Sequence, residues 1–271
     1  MSIELKKLQD MVYSIFKEFD RICTQNDIHY SMEGGTLLGA VKYGDFVPWD
    51  DDIDVVMERS QYERFLQIAP EQLDGRFFLQ SYHNVPEFPL NYAKLCLNGT
   101  EIYDYDYSHL KNMHHGVFMD IFPIDEVKPE KMKSHCSRVG VLTGARKTKL
   151  RAIKPRGIRK VAYGILSRLP QKTLNNLVTK NCKKYHGKKT GYLYEVCNAN
   201  GKFPAMPRHI YDETVRLPFR DGMYEASAHY DEFLKSRFGA QYMSTLPPEE
   251  ARKPSHNQNI RILEGYDFQN I

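Results

Sequence analysis

Trp49-Asp50-Asp51-Asp52-Ile53-Asp54-Val55-Val56-Met57 passes from a carboxylate-rich loop into an apolar, β-branched run. Such a run reads as a buried strand. Side chains alternate faces along a strand, so residues two apart share a side. A regular strand would put Asp50, Asp52 and Asp54 on one face, with Ile53 and Val55 pointing into the core. Crowded carboxylates repel one another, and without a cation their pKa values rise. A divalent ion removes that penalty, and hard oxygen ligands suit Mg²⁺ or Mn²⁺. An Asp-rich turn is more often only a solvated loop. Here, however, the run enters Ile-Asp-Val-Val-Met, where a bare Asp is costly unless paired or metal-bound. Asp51, on the opposite parity, is read as solvated.

Upstream, Gly34-Gly35-Thr36 opens a helix after a short strand over about 28–32. Glycine lets backbone approach a phosphate, and a helix N-terminus offers free N–H groups and a favourable dipole. Thr36 adds a hydroxyl. Downstream, Val117-Phe-Met-Asp120-Ile-Phe-Pro-Ile-Asp125 sets Asp120 among apolar residues, a poor place for an idle carboxylate. If this strand lies beside the one carrying Asp52 and Asp54, the three acids form a metal-binding, catalytic triad. Asp120 would also accept the proton of an attacking hydroxyl. Asp125, after a proline, reads as a turn or cap residue. His114 and His115 precede the strand. Loop histidines are most often simply exposed, and His115 is kept as a phosphate contact.

Leu5, Leu8, Val12, Ile15, Phe16, Phe19 and Ile22 form one face of a long first helix. Ser60 and Glu63 read as a capping box for a helix carrying Tyr62, Phe65, Leu66 and Ala69. Strands are expected near 77–80, 92–97 and 116–122. Ile158, Val161, Ala162, Ile165, Leu166 and Leu169 make an apolar helical stripe that Pro170 closes, and Tyr230, Phe233, Leu234 and Phe238 make another that Gly239 caps.

The 271 residues carry a net charge of +4, which hides an asymmetry. From Lys131 to Tyr194 there are eighteen Lys or Arg and no Asp or Glu; the remainder is acidic by fourteen charges. Segregation of this kind suggests a partner for the basic part. Five cysteines without a Cys-x-x-Cys pair read as reduced thiols. The N-terminus lacks the apolar segment of a signal peptide, and no run is long enough to span a bilayer. A cytoplasmic protein is expected.

Three stretches carry a family resemblance: Gly34-Gly-Thr-Leu-Leu-Gly-Ala-Val-Lys42, Phe46-Val-Pro-Trp-Asp-Asp-Asp-Ile-Asp-Val55 and His115-Gly-Val-Phe-Met-Asp-Ile-Phe-Pro-Ile-Asp125. Together they resemble the LicD family of bacterial phosphocholine transferases, to which fukutin and fukutin-related protein are more distant relatives. The tail from Pro218-Phe219 through Arg237-Phe-Gly239 to Leu246-Pro-Pro248 is similar too. The resemblance implies an α/β (α+β) nucleotidyltransferase-like fold, a mixed sheet flanked by helices, with an additional basic helical region. Its expected parts are a catalytic core over 1–128, the basic helices over 129–200 and a C-terminal helical part over 201–271. It assigns phosphate binding to Gly34 and Gly35, catalysis to Asp52, Asp54 and Asp120, and support of the metal to Asp50. It also implies a CDP-linked alcohol as donor and a hydroxyl of a surface glycan precursor (teichoic acid, capsule or lipopolysaccharide) as acceptor, with CMP leaving.

A choline headgroup calls for aromatic faces. Tyr92, Tyr103, Tyr105 and Tyr107 are candidates, against the commoner reading as ordinary strand or loop tyrosines. The basic sector has three readings: a solvated helical lobe, a surface for an anionic membrane bearing a lipid-linked precursor, or a binder of a polyanion. Nucleic acid is disfavoured, because the acidic cluster would repel it without metal. Two rival functions stand: transfer of a nucleoside monophosphate from an NTP to a small acceptor, and a catalytically silent glycan-binding protein.

Overall fold

A computed structural model describes residues 4–102, 107–198, 203–249, 252 and 260–268. The expected first helix is α1 (Leu5–Gln25), whose Leu8, Val12, Ile15, Phe16, Phe19 and Ile22 are all buried. It packs on the inner face of a mixed seven-stranded sheet, contributed by β1 (Ser31–Met32), β2 (Asp54–Glu58), β3 (Phe77–Gln80), β4 (Ala93–Leu97) and β6 (Phe118–Glu126), with β7 (Tyr192–Tyr194) and β8 (Met206–Pro207) extending it. The order is β1-β2-β6-β4-β3, and β7 pairs with the far end of β6. β2 and β6 run parallel; their other pairings are antiparallel.

Alternation along β2 and β6 decides the two sides of the sheet. Val55, Met57, Met119 and Ile121 enter the main core with Leu95 and Leu97. On the other side Val56, Phe122 and Ile124 join Leu193 and Cys197 in a smaller cluster. Asp54 and Asp120 belong to that second side.

α2 (Gly34–Tyr43) and α3 (Arg59–Gln72) follow β1 and β2. β1 is shorter than expected because the Tyr30 N–H donates to the Glu225 carboxylate rather than to a ladder. The Ser60–Glu63 capping box does not form. α3 starts two residues earlier, at Arg59, with no side-chain cap, and Glu63 instead pairs with Lys183 at 2.7 Å. Asp125 is not a turn residue. It lies inside β6, 1% exposed, and receives two bonds from the buried Arg59 guanidinium at 2.8 and 2.6 Å.

The basic region is helical as expected: α4 (Met132–Lys149), α5 (Ile158–Leu166) and α6 (Gln171–Cys182). α5 ends three residues before Leu169, and Pro170 opens α6 rather than closing α5. Buried Arg146 ties the lobe to the core by donating to the Pro89 carbonyl and the Asn91 side chain at 2.7 and 2.6 Å. Beyond residue 203 the chain is less helical than expected. It forms the hairpin β9 (Thr214–Phe219) and β10 (Gly222–Ser227), one helix α7 (Tyr230–Phe238) capped at Gly239, and β11 (Ile260–Ile262), which pairs with β5 (Thr100–Ile102). All five cysteines are free and buried, and no helix among the described residues is long and apolar enough to cross a membrane.

Candidate active site

The parallel register of β2 and β6 places Asp54 directly opposite Asp120. Neighbouring strands lie about 4.8 Å apart, so the two carboxylates emerge side by side on one face. The Asp120 N–H donates to the Ile53 carbonyl at 3.0 Å, fixing this alignment just where β2 begins.

Asp50 and Asp52 reach the same place by a different route from the regular strand expected. Residues 50–53 are loop, and β2 starts at Asp54. The loop is pinned by Gln9, whose side chain donates to the Asp50 carbonyl at 2.8 Å, and by the Asp50 N–H bond to the Val47 carbonyl, also 2.8 Å. Carboxylate oxygens of Asp50, Asp51 and Asp52 lie within 4.8 Å of one another. Asp51, read as solvated, is 1% exposed. The curled loop buries it close to Asp50 and Asp52, from which strand alternation would have separated it.

Two glycines shape the floor. Gly34 adopts φ 53°, a left-handed conformation that side chains rarely tolerate, as the chain turns into α2. Gly35 has an ordinary φ, but a Cβ there would sit 2.4 Å from Asp50 Oδ2. Its missing side chain is therefore the space that the Asp50 carboxylate occupies. Thr36 is buried, and its Oγ1 accepts the Asp54 N–H at 2.8 Å. The expected phosphate-binding hydroxyl thus also anchors the start of β2 to α2.

The electrostatics are those of crowded acids. Burial first, then the charge of Asp52, pushes Asp50 up to about 8. Asp54 is raised well above the carboxylate range by burial, then by Asp52, Asp120, Glu195 and Asp50. Nearby, Glu33 is raised by burial and by Glu195. Two cations offset part of this. Lys94, opposite Asp120 in the β4–β6 ladder, places its ammonium 2.9 Å from Asp120 Oδ1. Arg237 lies 3.4 Å from Glu195 and 3.8 Å from Glu33. An all-oxygen, partly buried set in which burial and mutual repulsion raise Asp50 and Asp54 has the chemistry to take a hard divalent cation through Asp50, Asp52, Asp54 and Asp120.

Tyr92 stacks on Phe122 at 4.4 Å between ring centres, and its hydroxyl is raised by burial and then by Asp120 and Asp54. Of the other tyrosines, Tyr103 and Tyr105 lie outside the described residues. Tyr107 already holds a cation: Lys147 donates to its hydroxyl at 3.0 Å and sits over its ring. His115 bonds the Leu110 carbonyl at 3.1 Å, and His114 bonds Asn98 at 2.9 Å. The first contact lies within the loop before β6, and the second ties that loop to the turn between β4 and β5.

Sequence reasoning did not single out Lys94, Glu33, Glu195 or Arg237. Lys94 had a signal, as the one charge in the buried strand Ala93–Leu97. Glu195 had a weaker one, as the first acid after the acid-free run. Arg237 lies in the tail stretch that shares the resemblance, but only folding brings α7 to this end of the sheet.

The family described as "LicD/FKTN/FKRP, nucleotidyltransferase domain" matches residues 27–139. Residues 27–139 thus resemble the LicD-family domain. The matched span includes Gly34, Gly35, the Asp50–Asp54 loop, Lys94 and Asp120. The lipopolysaccharide cholinephosphotransferase LicD of Haemophilus influenzae is 29% identical over 270 residues, covering 96% of this chain and 99% of that protein. Human ribitol 5-phosphate transferase FKRP is 54% identical over 28 residues, 10% of this chain and 6% of that protein. The LicD likeness reaches beyond the domain into the basic helices and the C-terminal hairpin; the FKRP likeness is local.

Proposed function

We propose that this LicD-like chain transfers a phosphoalcohol, phosphocholine or a polyol phosphate, from a CDP-linked donor to a hydroxyl of a surface polysaccharide precursor. Lipopolysaccharide is the favoured acceptor class, by analogy with the Haemophilus relative; teichoic acid and capsule are the others. The observation that carries the reading is the pairing of Asp54 with Asp120 across parallel strands, beside the Asp50–Asp52 loop and the Gly34–Gly35 turn.

In this mechanism Asp50, Asp52, Asp54 and Asp120 would hold Mg²⁺ or Mn²⁺, which would supply positive charge to the donor diphosphate. The free N–H groups at the start of α2 orient the donor phosphates. Tyr92, whose hydroxyl feels the charges of Asp120 and Asp54, offers a face to a trimethylammonium group. Lys94 fixes the Asp120 carboxylate, which receives the proton of the acceptor hydroxyl as that oxygen attacks phosphorus. A new P–O bond forms to the acceptor, the P–O bond to CMP breaks, and CMP leaves with its electron pair.

The test is to incubate the protein and Mg²⁺ with a panel of CDP-alcohols and NTPs and a glycan acceptor. CMP release from a CDP-alcohol supports the reading. Pyrophosphate release from an NTP would replace it with nucleotidyl transfer. Consumption of no donor, together with retained glycan binding, would favour a catalytically silent binder.

A further inference from the structure

Helix α5 wears its apolar stripe outward. Its single buried residue is Tyr163, whose ring fills the space beside Gly144 of α4. At about 100° per residue, Ile158, Val161 and Ile165 fall on the opposite side of the helix from Tyr163. They are 87%, 64% and 62% exposed, and Ala162 beside them is exposed as well. A surface helix ordinarily buries such a stripe against its own core. Single exposed aliphatics are unremarkable, but three adjoining over about two turns of helix form a patch.

The rim of the patch has one sign. Arg156, Arg159, Lys160 and Arg168 are exposed, and none pairs with an acid among the described residues. No Asp or Glu occurs anywhere between Lys131 and Tyr194. Two copies of this chain joined through the patch would bring eight unpaired cations together, which disfavours self-association. An apolar stripe edged only by Lys and Arg matches a surface of acyl chains under anionic headgroups.

We propose that α5 docks the protein on an anionic lipid surface, with Ile158, Val161 and Ile165 entering between headgroups and the four cations lying over them. The inference is independent of the phosphotransfer reading, because no residue of α5 touches the carboxylate site.

The experiment is co-sedimentation of the full chain with phosphatidylcholine vesicles and with vesicles containing increasing phosphatidylglycerol, at low and high salt. The wild type is expected to sediment with the anionic vesicles and to be released by salt. Each cation near the surface contributes about fivefold, so R156Q/R159Q/K160Q/R168Q should weaken binding by about six hundredfold. I158S/V161S/I165S should weaken it at least about tenfold. The substituted side chains are exposed, so both variants should keep the wild-type melting temperature, which is checked first. Three results overturn the proposal: no sedimentation with anionic vesicles at low salt, binding that neither variant reduces, or a wild-type dimer that I158S/V161S/I165S converts to monomer.

Discussion

Gly35→Ala separates the site from the fold. The backbone φ at Gly35 is ordinary, so alanine meets no conformational strain, and helix propensity favours it by up to about 1 kcal/mol. The new Cβ, however, would lie 2.4 Å from Asp50 Oδ2 and 3.5 Å from its Cγ. A carbon and an oxygen need roughly 3.5 Å, so the carboxylate must retreat by about 1 Å. A displacement of that size at a reacting centre costs on the order of a hundredfold in rate. We expect donor turnover to fall by that factor and Mg²⁺ or Mn²⁺ uptake, followed by titration calorimetry, to weaken. The urea midpoint should stay within about 1 kcal/mol of wild type. Asp50→Ala in the Gly35→Ala background should cost nothing further, because the misplaced carboxylate has already lost its role. Full activity in Gly35→Ala with unchanged metal uptake would show that Asp50 has no part in the site.

Asp54→Asn should lower activity by roughly a thousandfold or more while raising the melting temperature in EDTA at neutral pH, since it removes the cost of keeping a buried, crowded carboxyl protonated there; a fall in stability would contradict the burial argument. Asp125→Ala strands the buried Arg59 guanidinium and should cost about 3–5 kcal/mol, read from urea melts, whereas Arg59→Met/Asp125→Leu should recover much of the loss. Burial, followed by the neighbouring His115, lowers His114 to about 4. The folded state therefore binds fewer protons than the unfolded state between about 6.5 and 4, and stability is complete above that window and lost as pH falls through it, by about 3 kcal/mol. His114→Gln should flatten that part of the pH–stability curve; an unchanged slope would move the cause elsewhere. Lys94→Met should slow turnover with little change in donor affinity, because its ammonium holds Asp120 rather than the donor.

Local chemistry was enough for much of this protein. The stripe in α1 and the apolar residues around Asp54 and Asp120 declare a core helix and two core strands, because burial rewards a period that a single chain segment shows by itself. The incompatibility of clustered carboxylates with an apolar run likewise marks Asp52, Asp54 and Asp120. Tertiary structure alone decided the rest. That Asp54 stands opposite Asp120 is a matter of register between strands sixty-six residues apart, which no local pattern encodes. The route of Asp50 depends on Gln9 and Gly35, not on strand alternation. Asp125 reads as a turn residue until the fold sets Arg59, the first residue of α3, beside it. The α5 stripe is the sharpest case. Its periodicity states that one face is apolar, but which way that face points is settled by Tyr163 meeting Gly144, and that contact turns the stripe toward solvent.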